Sequence, residues 1–407
     1  VTIAAAAVER TARDAYGRLV ALLASRSGDL AAAEAALSDA LLAALESWPN
    51  QGVPANPAGW LLTTARNRAI DRHRAAGRAD ARADDIRMLE EELTALSPDF
   101  PDERLKLLFV CAHPAIDARV RTPLMLQAVL GLDAARIARA FLVAPAAMGQ
   151  RLVRAKTKIR AAGIGFAVPD PQQLGDRLLP VLDAIYGAFG LAWDDVPGGD
   201  ATASELSAEA MFLARLLVDL MPFEPEPKGL LALMLFCEAR RGARRDAVGC
   251  FVPLSKQDVS QWSRPLISEG DALLIAASRH ARFGRYQCEA AIQSAHSQRA
   301  FGRSVPATAI VGLYNLLVDR APSIGAVIGR ASALLDDGAT DTAAAALAEL
   351  PADRVRDHQP YWAAHAAVMW ALGQEAAAQA SAQRAIGLSH DPAVRAYLAS
   401  RFGGPLS

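Results

Sequence analysis

Residues 132–159 read LDAARIARAFLVAPAAMGQRLVRAKTKI. Asp133 is placed to cap a short helix over 134–142, and Ile137 and Phe141, one turn apart, are expected to face inward. Ala144-Pro145 breaks that helix, because a residue before proline is pushed out of the helical region. Pro145 then suits the first turn of a second helix. In the second helix Met148, Leu152, Ala155 and Ile159 form one apolar stripe. Arg151, Arg154 and Lys158 lie on a different face, with Lys156 and Arg160 adding charge nearby. Between 119 and 160 nine Lys and Arg stand against one acid, Asp133. An ordinary antiparallel helix pair would show the same stripe but needs no such excess of cations. A short helix, a tight turn and a basic amphipathic helix is the helix-turn-helix layout, whose second helix enters the major groove. Phosphate neutralisation would supply most of the affinity. Base reading would fall to Ala146, Ala147, Gln150 and Arg151, with Arg154 one turn on.

The rest of the chain suits this reading. Its 407 residues suggest two or three domains, and 52% hydrophobic with 21% charged residues suits a globular protein with a real core. Alanine is abundant, aromatics are 6% of the chain, and few windows show strand-like alternation. The expected class is all-α. Net charge is -1, but residues 1–165 carry 22 Lys+Arg against 18 Asp+Glu, so the polyanion-binding half is expected there. No apolar run is long enough for a transmembrane helix, and VTIAAAAVER lacks the basic start of a signal peptide. Cys111, Cys237, Cys250 and Cys288 are far apart and read as reduced thiols, so a cytoplasmic location is expected. Cys111 and His113 have no second ligand pair nearby, and no metal or other cofactor is expected.

Composition divides the chain at 79–103, which holds ADDIRMLEEEL and SPDFPDE, and at 163–172. The expected segments are 5–78, an acidic linker 79–103, a basic helical module 104–165, and an alanine-rich domain 175–407. A loop is expected over 49–58. Asn56 can cap the helix PAGWLLTTARNRAIDRHRAAG, with Pro57 at its first position. Leu61, Leu62, Ala65 and Ala69 form its core stripe, and Arg66, Arg68, Arg72, Arg74 and Arg78 follow. Upstream, Asp29, Glu34, Asp39 and Glu46 spread an acidic strip along GDLAAAEAALSDALLAALESWP.

Two basic helical modules joined by an acidic connector resemble a bacterial sigma factor of the extracytoplasmic-function type. GDLAAAEAALSDALLAALESWP looks like the region 2 helix that docks on the clamp helices of RNA polymerase. NPAGWLLTTARNRAIDRHR looks like the next helix, which faces promoter DNA. LDAARIARAFLVAPAAMGQRLVRAKTKI looks like region 4, which reads the -35 element. GVPANPAGWLLTTARNRAIDR and CAHPAI are similar to the branch with a C-terminal extension of tetratricopeptide-like helices. The resemblance implies polymerase contacts at Asp29, Glu34 and Asp39. It implies -10 contacts at Asn50, Gln51, Asn56, Arg66, Arg68, Arg72 and Arg74, where an extruded base would be captured and the single strand held. It implies -35 contacts at Arg136, Arg139, Ala147, Gln150, Arg151, Arg154 and Lys158. Core RNA polymerase and promoter DNA are the implied partners. The branch usually has Glu-Asp where this chain has Glu34-Ala35, and Gln where Ser38 stands. Trp60 is expected to anchor its helix in the core.

The half from 175 shows no phosphate loop and no HExxH, so an enzyme is not expected. RASALLDDGATDTAAAALAEL and HAAVMWALGQEAAAQASAQRAI align at Gly338 and Gly373, 35 residues apart, close to a tetratricopeptide period. A polar, β-like insertion is expected over 240–264, with Trp262 and Asp258 locking it to the helices. In the family such extensions stand in for a separate anti-sigma partner, and this one would take a protein or small-molecule ligand. The alternative is a one-component helix-turn-helix regulator whose helical array senses a ligand or peptide.

Overall fold

The computed structural model describes residues 3–75, 103–141, 143–166, 169, 171–194, 201–280 and 282–402. The chain is all-α, and no strand is present among the described residues. Two compact units emerge from its contacts. The first comprises 1–194 with 201–216, the second 195–200 with 217–407. This division falls later than the composition break at 163–172.

The first unit begins with α1 (Ile3–Ser27), α2 (Leu30–Gln51) and α3 (Pro57–Ala75), which pack mutually. Asp29 caps α2 by accepting from Ala32 N–H at 3.1 Å, and Asn56 caps α3 by accepting from Gly59 N–H at 3.0 Å. α2 runs through Pro49 to Gln51, so Asn50 and Gln51 form its last turn rather than part of a loop. A proline near a helix end removes only one hydrogen bond of the closing turns. The connection itself is 52–56, opened by Gly52 at φ +85°.

The same unit continues with α4 (Glu103–Cys111), α5 (Ala118–Ala128), α6 (Ala134–Ala140) and α7 (Pro145–Ala161). α8 (Pro171–Asp194) packs on α4 and α5 through a stripe that buries Leu178, Val181, Leu182, Ile185 and Phe189. α9 (Ala201–Leu220) is tied to α4 where Arg104 pairs with Glu209 and stacks over Phe212. These apolar and ionic contacts carry α8 and most of α9 into the first unit.

The second unit contains α10 (Pro225–Ala239), α11 (Arg264–Ser278), α12 (Arg285–Ser297), α13 (Ala307–Arg320), α14 (Ile324–Asp336), α15 (Thr340–Ala348), α16 (Ala352–Val355), α17 (Gln359–Ala371), α18 (Glu375–Leu388) and α19 (Pro392–Phe402). α10 buries an unbroken run, Gly229 to Phe236, between α11 and α12. From α13 onward neighbouring helices pack in sequence order. Gly338 and Gly373 hold φ of +82° and +73° just after α14 and α17, so both helices stop at a left-handed glycine.

The segment 240–264 is made of short 3-10 turns with one bridge between Arg245 and Phe251, so its β-like polarity builds no strand. Trp262 does lock it. The indole is buried, Arg299 lies over it with its guanidinium carbon 5.4 Å from the ring, and Arg299 also donates to Leu254 O at 2.8 Å. Asp258 instead makes a local cap on Ser260 N–H and is exposed. Arg245 pairs with Asp391, and Phe251 packs edge-on against Tyr397, so the segment is fastened to α19.

Candidate nucleic-acid and polymerase interface

α6 starts at Asp133, which accepts from Arg136 N–H at 2.8 Å. Ile137 is fully buried as expected. Phe141 is 37% exposed, because α6 ends at Ala140 and Phe141 already has ψ near 6°. The expected inward pair is therefore a single anchor. α7 starts at Pro145 and buries Met148, Leu152, Ala155, Lys156 and Ile159. At 3.6 residues per turn, Arg151, Arg154 and Lys158 lie about 70–130° to one side of that stripe, and Lys156 and Arg160 about 70–110° to the other.

The two rows of cations have different surroundings. Arg151, Arg154, Lys158 and Gln150 are exposed, and Ala147 is half-buried. On α6, Arg139 is exposed and Arg136 half-buried. The second row faces α2. Lys156 donates to Glu34 Oε2, with side chains only 10% and 15% exposed, and Arg160 donates to Asp29 Oδ2 at 3.2 Å. Glu34 also raises the pKa of two groups beside it, the half-buried Tyr16 and the buried Cys111. Burial, then the Glu34 charge, pushes the Tyr16 phenol and the Cys111 thiol well up, and Lys156 partly offsets the rise at Cys111.

Two glycines let the helices come this close. A Cβ at Gly17 in α1 would stand 1.7 Å from the carbonyl oxygen of Val129, just past α5. A Cβ at Gly131, which holds φ +66°, would stand 3.0 Å from the Tyr16 ring. α1 thus meets the end of α5 backbone to side-chain-free backbone.

The other expected residues fall on the α2–α3 side. Asp39 is half-buried on α2. Asn50, Gln51 and Asn56 are exposed around the 52–56 turn. Arg66 is half-buried and Arg68 exposed on α3, while the side chains of Arg72 and Arg74, all of Arg78, and the acidic linker up to residue 102 lie outside the described residues; Glu103, the last residue expected in the linker, already opens α4. Trp60 is half-buried and packs edge-on against the buried Trp48, centroids 5.5 Å apart. His113 Nδ1 accepts from Ala115 N–H at 3.1 Å. Burial, with Arg177 and Arg121 nearby, lowers its pKa, so it serves the turn after α4 as a neutral acceptor.

Sequence reasoning missed the role of Lys156, counting it only as extra charge. The available signal was its position four residues after Leu152, on the border of the apolar stripe. Trp48 as the partner of Trp60 and Gly17 as a contact point carried no signal in the chain taken alone.

The family model for sigma-70 region 2 matches residues 12–79, which span α2, the 52–56 turn, α3 and most of α1. The chain belongs to the sigma-70 family. The region 2 match supports a role in promoter recognition and implies core RNA polymerase and promoter DNA as partners. A second model, a family of unknown function (DUF6596), matches residues 177–278, from α8 to α11. An uncharacterized protein, R00370, of Rhizobium meliloti strain 1021 is 37% identical over 373 residues, covering 90% of this chain and 88% of its own length. No solved structure matches. Among the described residues no helix is long and apolar enough to cross a membrane.

Proposed function

We propose that this sigma-70 family chain is an extracytoplasmic-function-type promoter-specificity subunit. In this reading α2 docks on the clamp helices of the largest polymerase subunit through Asp29, Glu34 and Asp39. The 52–56 turn with Asn50, Gln51 and Asn56, and the arginines of α3, take the -10 element. α6 and α7 form region 4, where Arg136, Arg139, Ala147, Gln150, Arg151, Arg154 and Lys158 meet the -35 element. The tetratricopeptide-like helices of the second unit regulate the whole in the cytoplasm and respond to a protein or small-molecule ligand.

The observation that carries the reading is the exposed row Arg151, Arg154 and Lys158. Folding uses the buried stripe of α7 and leaves this row unexplained, while phosphate contact uses it directly. Reconstitution with core polymerase tests the reading. Run-off transcription from a matching promoter should require this chain, and the chain should co-purify with core. Tight duplex binding without polymerase, together with no binding to core, would replace it with a one-component regulator.

A further inference from the structure

We propose that the second unit carries a binding site for a small organic ammonium ion, in the cleft between α12, α13 and α14, with Asp336 as the counter-charge. The site rests on its own residues. Its consequence for the protein rests on the reading above that the second unit responds to a ligand.

The cleft measures about 330 Å³, at the small end of ligand pockets, which run from about 300 to 1,000 Å³. α12 contributes His296 from its last turn. α13 contributes Ile310 and Tyr314, four residues apart on one face. α14 contributes Gly329, Ser332 and Asp336, whose spacings of three and four also fall on one face. Gly329 makes the room. A Cβ there would stand 2.3 Å from Tyr314 Cε1, so the phenol ring rests against bare backbone of α14.

Folding accounts for little of this polar lining. Asp336 is the last residue of α14, where a carboxylate opposes the negative pole of its own helix. It is exposed and has no hydrogen bond or ion pair among the described residues. Arg401, whose charge reaches it, is occupied by the Tyr397 hydroxyl at 3.1 Å and lies over the Phe402 ring. The His296 ring and the Tyr314 hydroxyl also have no hydrogen-bond partner among the described residues. Three polar groups without partners therefore meet in one cleft.

The charges select the ligand. Burial, with Arg240 and Arg299 nearby, keeps His296 neutral at pH 7, so Asp336 is the one charged residue among those lining the cleft. Burial, then the charge of Glu289, raises the Tyr314 pKa; Asp336 adds to the rise and Arg240 opposes it, and the phenol stays protonated with lone pairs on its oxygen. The two arginines act on His296 and Asp336 acts on Tyr314, so a cation is drawn to the side of Asp336 and Tyr314. An ammonium group has three N–H donors and no acceptor, which suits a carboxylate and a phenol oxygen. The negative end of α14 adds to the attraction. A carboxylate or phosphate would be repelled by both. Ile310 and Ala333 supply an apolar wall for a short alkyl chain. Partial burial raises the Asp336 pKa, and a bound cation would bring it back down.

The experiment uses the full chain in phosphate buffer at pH 7 and three four-carbon probes, n-butylamine, 1-butanol and butyrate, titrated by ligand-observed NMR. The variants are Asp336→Asn and Tyr314→Phe, each checked by a melting curve. Asp336 stands exposed at a helix end, so its replacement should leave the fold intact. Butylamine should bind about fivefold more tightly than butanol, the value of one partly screened charge pair, and butyrate more weakly than either. Asp336→Asn should bring butylamine level with butanol, and Tyr314→Phe should weaken it to a smaller degree. Butylamine binding no tighter than butanol, or unchanged by Asp336→Asn, overturns the site. Butyrate binding best of the three overturns it as well. Binding as expected, with run-off transcription by core polymerase unchanged at saturating butylamine, keeps the site and overturns its part in the ligand response proposed above.

Discussion

Gly17→Ala should have opposite effects on an isolated helix and on the assembled unit. In a helix interior alanine is favoured over glycine by about 0.5–1 kcal/mol, so α1 by itself should gain. In the folded unit the new Cβ would lie 1.7 Å from Val129 O, 2.7 Å from its carbonyl carbon and 3.3 Å from its Cα. All three are backbone atoms, so no rotamer change relieves the overlap. Reaching ordinary contact of about 3.5 Å requires α1 and the end of α5 to part by about 2 Å. Overpacking of this kind costs about 1–3 kcal/mol, which exceeds the helical gain. The chain has two units, so a single melting temperature is a poor reporter. Hydrogen exchange followed by mass spectrometry localises the effect. Peptides over 118–132 and 145–161 should exchange faster, while α1 to α3 keep or increase their protection. A uniformly stabilised protein with unchanged exchange over 118–132 would refute the close approach of α1 to Val129, and with it the packing on which the closed unit depends.

Gly149→Ala meets nothing within 4 Å and lies inside α7, so it should stabilise that helix by about 1 kcal/mol and slow its exchange; a loss of stability would mean the helix bends there. Arg154→Ala should weaken -35-dependent transcription while leaving core binding intact, and should lower the salt slope of DNA binding by about one; equal loss of core binding would count against the assignment. In the second unit, burial, with Arg240 and Arg299 nearby, lowers the His296 pKa from 6.5 to about 4. The neutral ring is the folded form, so stability is fully present above 6.5, where neither state binds the proton. It declines as pH falls from 6.5 towards 4, by up to about 3 kcal/mol. Urea midpoints of the second unit between pH 7 and 4 test this, and His296→Gln should flatten the curve.

Much of the fold was legible because it is local. Caps at Asn56 and Asp133 need only an oxygen a few residues before free N–H groups, and each forms. The break at Pro145 follows from the proline ring, and the buried stripe of α7 from helical period. The alignment at Gly338 and Gly373 was visible in the chain, and each glycine stands just after a helix. Readings that depended on more than one element fared differently. Phe141 sits outside because α6 stops one residue before it, and 240–264 forms turns because its contacts to Arg299, Asp391 and Tyr397 replace a strand partner. The boundary expected at 163–172 follows composition, whereas α8 and α9 follow the apolar surface of α4 and α5.

The sequence by itself determined the helical class, the basic character of 119–160, and the region 2 strings within 12–79 that mark a sigma-70 family chain, since each depends on local pattern or on strings of residues. Only the tertiary structure decided that Asp29 and Glu34 are held by Arg160 and Lys156, more than 120 positions away. A charge on a helix carries no record of which distant helix will face it. That is settled by which surfaces pack together, and here the bare backbone of Gly17 and Gly131 lets α1 meet the end of α5 and brings α7 against α2.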